Sequence, residues 1–301
     1  MYPTLYKLSE GIGIHTYGLM ILMALLAAFA VSSKRARMVG IDSDELPLMY
    51  LLVAVNGILG ARLFYFLFSD TENFFANPLI FLSPNEGGLV FYGGAIGGVL
   101  TGVIYCLLKS IPVWKLADIG GPAIMLGLAL GRVGCFFAGC CHGGPMDAHV
   151  DGILLAMKGG SIVTVDAAPH IALEFNPGVG VGSIHGRPLY PTQIWEFVGA
   201  MSLFGGLSWM WLRLRKFDGQ IMAATMVVYA GLRSTIENYR GDAIRGENIV
   251  STMSTSQTIS AVMVALAVGI VIVQFRKGVA EETPFERGDE DSEYDEESEE
   301  P

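Results

Sequence analysis

The sequence predicts an all-α polytopic membrane protein: seven transmembrane helices with a small mixed extracytoplasmic cap, N-terminus outside and C-terminus inside. Three observations carry this expectation. Apolar residues make up 52% of the 301-residue chain, and its mean hydropathy of +0.48 is that of a membrane-embedded protein. Seven apolar windows run near 15–33, 47–68, 89–108, 117–138, 190–212, 219–238 and 257–275, each long enough to cross a bilayer at about 17–25 residues. The basic residues are also distributed unevenly between the connecting loops.

In chain order, the first window follows Met1-Tyr-Pro-Thr-Leu-Tyr-Lys. That start lacks a basic region running into an apolar core with a small-residue cleavage site, so no cleaved signal peptide is expected. Backbone polar groups in lipid must be satisfied within the segment, so the windows are expected to be helices. Lys34, Arg35 and Arg37 follow the first window, Lys109 and Lys115 lie between the third and fourth, Arg213, Arg215 and Lys216 follow the fifth, and Arg276 and Lys277 follow the seventh. The opposite loops hold Lys7, Lys158, Arg187, Arg240 and Arg245. The positive-inside rule then places the N-terminus outside and the C-terminus inside, and an odd number of crossings agrees.

Loop 69–88, with Asn73-Phe-Phe-Ala-Asn-Pro-Leu-Ile-Phe, reads as an interfacial aromatic segment on the outer side. Segment 142–189 holds the Val/Ile/Leu-rich pieces 152–157 and 161–165 and the turn residues Asn176-Pro177-Gly178, a pattern for a strand-rich cap. The expected division is therefore 1–141 for the first four helices, 142–189 for the cap, 190–278 for the last three helices, and 279–301 for a cytoplasmic tail. The formal charge of −10 belongs to that tail: residues 281–301 contain twelve Asp/Glu and one Arg, leaving the rest of the chain at +1. Such a segment is expected to be disordered, and nothing in the charge balance suggests a nucleic-acid partner.

Three arginines, Arg62, Arg132 and Arg233, fall within or at the edges of windows. A charge at the bilayer centre costs about 2.5–3.5 kcal/mol on insertion scales, and such residues usually face a bundle interior. They either pair with carboxylates such as Glu196 and Glu237, snorkel to headgroups, or hold an anion. Arg233 and Glu237 are four apart and Glu237 and Arg240 three apart, so these side chains share a helix face. Guanidinium groups bind phosphate with a planar fork. Several near the outer leaflet therefore suggest a phospholipid headgroup, in coexistence with an internal ion-pair ladder.

Gly131-Arg132-Val-Gly134-Cys135-Phe-Phe-Ala-Gly-Cys140-Cys141-His142 crowds thiols and an imidazole beside Arg132. Zinc binding, a disulfide, packing thiols and a catalytic thiol activated by Arg132 or His142 all stay open. No metal ligand set is assigned and no cofactor is called for. With Cys106 there are four cysteines, too few and too clustered for a disulfide scaffold. His15, His149, His170 and His185 are scattered, with only His15 and His185 beside other polar candidates. G-x-S-x-G, H-E-x-x-H, Walker and dinucleotide-binding patterns do not occur.

His15-Thr-Tyr17-Gly18, Gly60-Ala-Arg62, Phe91-Tyr92-Gly93-Gly94-x-Ile-Gly97, Gly131-Arg132-x-Gly134, Pro191-Thr-Gln193-x-x-Glu196 and Arg233-x3-Glu237-x2-Arg240 occur in this order. Together they resemble the bacterial prolipoprotein diacylglyceryl transferases over most of residues 12–275. The resemblance implies a multi-pass enzyme of the bacterial inner membrane. Such an enzyme moves the diacylglyceryl group of phosphatidylglycerol onto the lipobox cysteine of a preprolipoprotein signal peptide, forming a thioether and releasing glycerol phosphate. It further implies catalytic roles for Arg132, Arg233, Tyr92 and Glu237, and binding of phosphatidylglycerol by Arg132, Tyr17, Gly93, Gly94, Gln193 and Arg240. Two lipid-sized openings are expected.

The chain departs from the family pattern at several positions. Tyr92 stands where many members have a histidine, a favoured base, and a phenol is a poor base at neutral pH. Cys135 and Cys140 replace the usual Asn and Glu, Tyr190 replaces a histidine, and Trp195 a tyrosine. His142, His185 or Glu237 are candidates for a replacement base, or the arginines alone lower the pKa of the incoming thiol. The rival expectations are a divergent paralogue with another acceptor and a non-catalytic phospholipid-binding or transport protein.

Overall fold

The computed structural model describes residues 4–9, 12–82, 87–144, 153–158, 161–166, 171–173, 189–239 and 255–277. Arg240, His185, His149, His170, Arg187, Arg245 and the acidic tail lie outside the described residues. The chain divides into two compact units: Met1–Ala28 with Ala117–Pro301, and Phe29–Leu116.

Each of the seven windows holds one long helix: α1 (Thr16–Met38), α2 (Leu46–Ser69), α4 (Phe91–Leu108), α5 (Val113–Ala138), α6 (Thr192–Arg213), α7 (Gln220–Glu237) and α8 (Thr255–Lys277). A short α3 (Thr71–Ala76) and a 3-10 turn (Pro78–Leu82) occupy the loop after α2. Among the described residues five stretches are long and apolar enough to cross a membrane: Thr16–Met38, Ser43–Ser69, Phe91–Leu108, Val113–Ala138 and Ser256–Arg276. α6 and α7 fall short of that measure because they carry Gln193, Glu196, Gln220, Arg233, Thr235 and Glu237. The chain is a multi-pass membrane protein by this count, with bare apolar side chains such as Leu51, Val99, Leu107, Leu266 and Phe275 more than half exposed on its helices.

Two groups of strands accompany the helices, an N-terminal hairpin that the sequence reading did not include and a sheet within the segment read as a strand-rich cap. β1 (Thr4–Ser9) and β2 (Ile12–His15) form an antiparallel hairpin before α1. β3 (Ile153–Lys158), β4 (Ser161–Asp166) and β5 (Ile171–Leu173) form a sheet of order β4-β3-β5, with β4 antiparallel and β5 parallel to β3. β3 and β4 lie on the two Val/Ile/Leu-rich pieces of segment 142–189.

In the Phe29–Leu116 unit, α2 and α4 pack backbone to backbone. A Cβ on Gly60 would lie 2.5 Å from the Gly93 carbonyl oxygen, and one on Gly97 would lie 2.6 Å from that of Asn56. A Cβ on Gly93 would in turn collide with the Gly60 carbonyl and the Phe64 side chain, and one on Gly94 would stand 3.2 Å from the Gly57 oxygen. Small residues let helices in lipid approach this closely, where packing rather than hydrophobicity drives association. At one end of the pair the Val90 amide donates to the Ala61 carbonyl (3.0 Å). At the other, Glu45 accepts from the Tyr105 hydroxyl (2.5 Å) and pairs with Lys109 (3.0 Å).

In the second unit, α5 and α7 meet at Gly121, where a Cβ would lie 2.5 Å from Thr225 Oγ1. Asp118 of α5, fully buried, accepts from the Gly219 amide (2.8 Å) and the Met222 amide (2.9 Å). A carboxylate from one helix thereby caps the first turn of another, where unsatisfied amides and the positive dipole end lie together. α6 and α7 meet where Gly199 faces Leu232. α5 and α7 are thus joined at their N-terminal ends, away from Arg132 and Arg233.

Candidate active site

Arg132 lies in the last two turns of α5, and its Nη2 donates to Glu196 Oε1 of α6 at 2.7 Å. Glu196 is 1% exposed and Arg132 14%. A carboxylate so buried needs its partner, and removing one member of such a pair costs about 3–5 kcal/mol. The bond uses one of the guanidinium's five donors, which leaves the arginine able to grip an anion while it stays neutralised. Gly134 explains its own place in the Gly-Arg-x-Gly run: a Cβ there would stand 3.0 Å from Met20 Cβ and 3.3 Å from the Tyr17 ring. Tyr17 of α1 therefore packs on α5 beside Arg132, and Tyr17, Arg132 and the thiols of Cys135, Cys140 and Cys141 act on one another electrostatically.

Arg233 lies in the last turn of α7. Its Nη2 pairs with Glu237 Oε2 at 2.8 Å and donates to Ser256 Oγ of α8 at 3.0 Å. Its Nη1 is buried with no hydrogen-bond partner among the described residues. Tyr229, one turn earlier on α7, interacts electrostatically with Arg132, so α7 presents a residue to each guanidinium. The ion pairs anticipated with Glu196 and Glu237 both form, and both leave donors over.

The turn after α5 is built to a fixed shape. Gly139 adopts φ +70° and the Cys140 amide donates back to the Cys135 carbonyl at 3.1 Å, a glycine-dependent helix stop. Cys141 follows with φ +60°, uncommon for a residue with a side chain. Two α6 residues clamp this turn: Gln193 Nε2 donates to the Cys140 carbonyl (2.9 Å) and Thr192 Oγ1 to the Cys141 carbonyl (3.0 Å). The Gly143 amide donates to the Tyr190 carbonyl and the Gly144 amide to that of Tyr239. A Cβ on Gly143 would lie 2.5 Å from the Tyr190 Cβ, so only glycine fits this crossing. His142 Nδ1 stands 3.0 Å from the Gly143 carbonyl oxygen.

None of the four cysteines is joined in a disulfide, so the disulfide alternative is not realised. The catalytic-thiol alternative needed a lowered pKa, and Cys140 goes the other way. Its hydrogen bond with Cys135 lowers it, but Cys141 and burial outweigh that and push it up to about 11.

Thus Tyr17, Arg132 and Gln193 converge on one turn, and Arg233 and Glu237 form their own pair on α7. Tyr92, Gly93 and Gly94 belong to the other unit, where both glycines are accounted for by the approach of α2 to α4 and Tyr92 packs edge-on against Phe91 at 5.9 Å. Arg62, in that unit, lies 5.9 Å from the Phe66 ring centroid. Sequence reasoning did not assign Glu196, Thr192, Ser256 or Tyr239 to the site. Glu196 had a usable signal, an acid on an apolar helix. Tyr239 had none: it forms an aromatic triad with Tyr190 and Trp195, centroids 5.1–5.8 Å apart.

Comparison with known proteins identifies the family. The family model described as prolipoprotein diacylglyceryl transferase matches residues 3–273. A phosphatidylglycerol–prolipoprotein diacylglyceryl transferase of Clostridium tetani is 32% identical over 92% of this chain and 100% of its own length. One from Clostridium perfringens is 32% identical over 89% of this chain and 93% of its own, and one from Bacillus cytotoxicus 27% identical over 91% and 93%. A match that runs through every long helix, together with two carboxylate-held arginines on the helices that carry the motifs, establishes that the chain belongs to the prolipoprotein diacylglyceryl transferase family.

Proposed function

We propose that this chain transfers the diacylglyceryl group of phosphatidylglycerol to the lipobox cysteine thiol of preprolipoproteins at the bacterial cytoplasmic (inner) membrane. The observation that carries the proposal is the pair of arginines, Arg132 and Arg233, each held by a carboxylate and each with donors to spare. The incoming sulfur forms a bond to the glycerol carbon as that carbon's bond to the phosphate oxygen breaks. A thioether and glycerol phosphate result, and the thiol gives up its proton. Negative charge grows on the leaving phosphate, and preorganised cations aimed at developing charge in a water-poor site contribute about 10²–10³ in rate per donor group. The same positive charge favours the thiolate of the incoming cysteine.

In this assignment Arg132 and Arg233 hold the phosphate, and Glu237 fixes Arg233. Tyr17 and Gln193 shape the wall on the Arg132 side, with Gln193 acting through the turn it clamps. Tyr92 and Arg240 enter the proposed set on the resemblance alone. We also assign seven crossings, with the N-terminus outside, segment 142–189 as an outer cap and the acidic tail inside, on the agreement between basic-residue placement and an odd helix count.

The test is a mass assay with the purified full chain, phosphatidylglycerol and a peptide carrying a lipobox cysteine. The expected product is the peptide with one diacylglyceryl group on the cysteine, absent when serine replaces that cysteine. Bound phospholipid without any gain on the peptide would instead support a relative with a different acceptor, the reading that Tyr92 and the thiol cluster favour.

A further inference from the structure

Cys135, Cys140 and Cys141 form a cluster that diacylglyceryl transfer does not use. Each contributes one Sγ, and the three sulfurs lie within 4.8 Å of one another. Zinc thiolates at about 2.3 Å from the metal stand about 3.7–3.8 Å apart in a tetrahedron, so the cluster needs to contract by about 1 Å at most.

We propose that Cys135, Cys140 and Cys141 bind one thiophilic metal ion of the Zn2+ class as a three-thiolate tripod. Three features support the site besides proximity. First, a disulfide would use two sulfurs and strand the third, whereas a tripod uses all three. Second, the backbone is shaped for the convergence: Gly139 and Cys141 take left-handed conformations (φ +70° and +60°) that fold Cys140 and Cys141 back over the last turn of α5. The Cys140 and Cys141 carbonyls are meanwhile held by Gln193 and Thr192. A strained non-glycine residue persists where its surroundings over-determine it, commonly at a ligand clamp. Third, the ion removes most of the repulsion between the thiolates. Three thiols lose their protons to solvent on binding, and Zn2+ with three thiolates carries a net −1. The Arg132 guanidinium, which acts electrostatically on all three cysteines and also pairs with Glu196, makes that remaining charge less costly. The fourth position stays open to water or an added thiol. The ion would staple the turn to the end of α5, one helical turn from Arg132.

The probe is Zn2+ itself, added to the full chain in detergent under reductant, with unbound metal removed and zinc and protein quantified. One equivalent per chain is expected, retained in Cys106→Ser and lost when Cys135, Cys140 and Cys141 are all changed to serine. Because that triple variant risks misfolding, thiol alkylation of the unmutated chain is read peptide by peptide. Zn2+ should slow modification of Cys135, Cys140 and Cys141 at least tenfold, reversibly with chelator, and leave Cys106 unaffected. Undiminished zinc in the triple serine variant, or an equivalent of zinc that leaves Cys140 and Cys141 alkylation unchanged, would overturn the site. So would a failure to bind zinc.

Discussion

The two units solve the problem of helices in lipid by opposite means. In Phe29–Leu116, α2 and α4 associate through glycines that bring two backbones into contact, and their ion pair, Glu45 with Lys109, is exposed at the end of the helices rather than within that seam. In the other unit, α5, α6, α7 and α8 are tied by buried and half-buried polar groups: Arg132 to Glu196, Arg233 to Glu237 and Ser256, and Asp118 to the amides before and within α7. Glycine packing is dry, rigid and chemically inert. Buried ion pairs are poor stabilisers relative to apolar packing, so their retention in one unit marks where charge is needed for another purpose.

That contrast predicts different failures. The largest effect is expected from Arg132→Ala, which should reduce transfer by at least about a hundredfold and also destabilise the fold by about 3–5 kcal/mol, since Glu196 is left buried and unpaired. Transfer rate and thermal unfolding, measured on the same preparation, separate the two. Gly93→Leu comes next. It should lower the melting temperature sharply, at about 1–3 kcal/mol or more for forced overpacking, while the surviving folded enzyme keeps a normal KM for phosphatidylglycerol. A raised KM at unchanged stability would return Gly93 to the binding set that the motif suggested. Asp118→Ala should cost about 1–2 kcal/mol, the range for losing a helix cap, with turnover per folded molecule unchanged. The smallest effect is expected at Tyr92→Phe: loss of one neutral hydrogen bond to substrate, the role the resemblance gives this hydroxyl, is worth about 1 kcal/mol, or about a fivefold fall in kcat. A loss of a thousandfold would instead make that hydroxyl central to the proton transfer.

Much of this organisation was legible before any coordinates. Each apolar window holds a long helix, because length and apolarity are local properties and bilayer chemistry allows few alternatives. The Arg233–Glu237 pair was legible for the same reason: four residues apart on a helix is a contact. Arg132 and Glu196 are 64 residues apart, and only the unusual presence of each on an apolar helix hinted at the other. The glycine pair at 93–94 was read as a binding feature, and the packing of α4 on α2 gives it a structural cause that no single-helix pattern reveals. The hairpin at Thr4–Ser9 and Ile12–His15 was not foreseen, since strands of six and four residues are too short for a distinctive alternation. The Tyr190–Trp195–Tyr239 triad depends on how α6 and α7 end relative to one another, which is tertiary information.

The central claim is that Arg132 serves chemistry beyond holding Glu196, and a neutral, hydrogen-bonding pair tests it most directly. In Arg132→Gln combined with Glu196→Gln, no charge is stranded, so the melting temperature should stay within a few degrees of the parent. Transfer from phosphatidylglycerol to the lipobox peptide, per folded molecule, is then predicted to fall by at least about a hundredfold. Parental transfer in that folded double variant would contradict the account and reduce the Arg132–Glu196 pair to a structural tie.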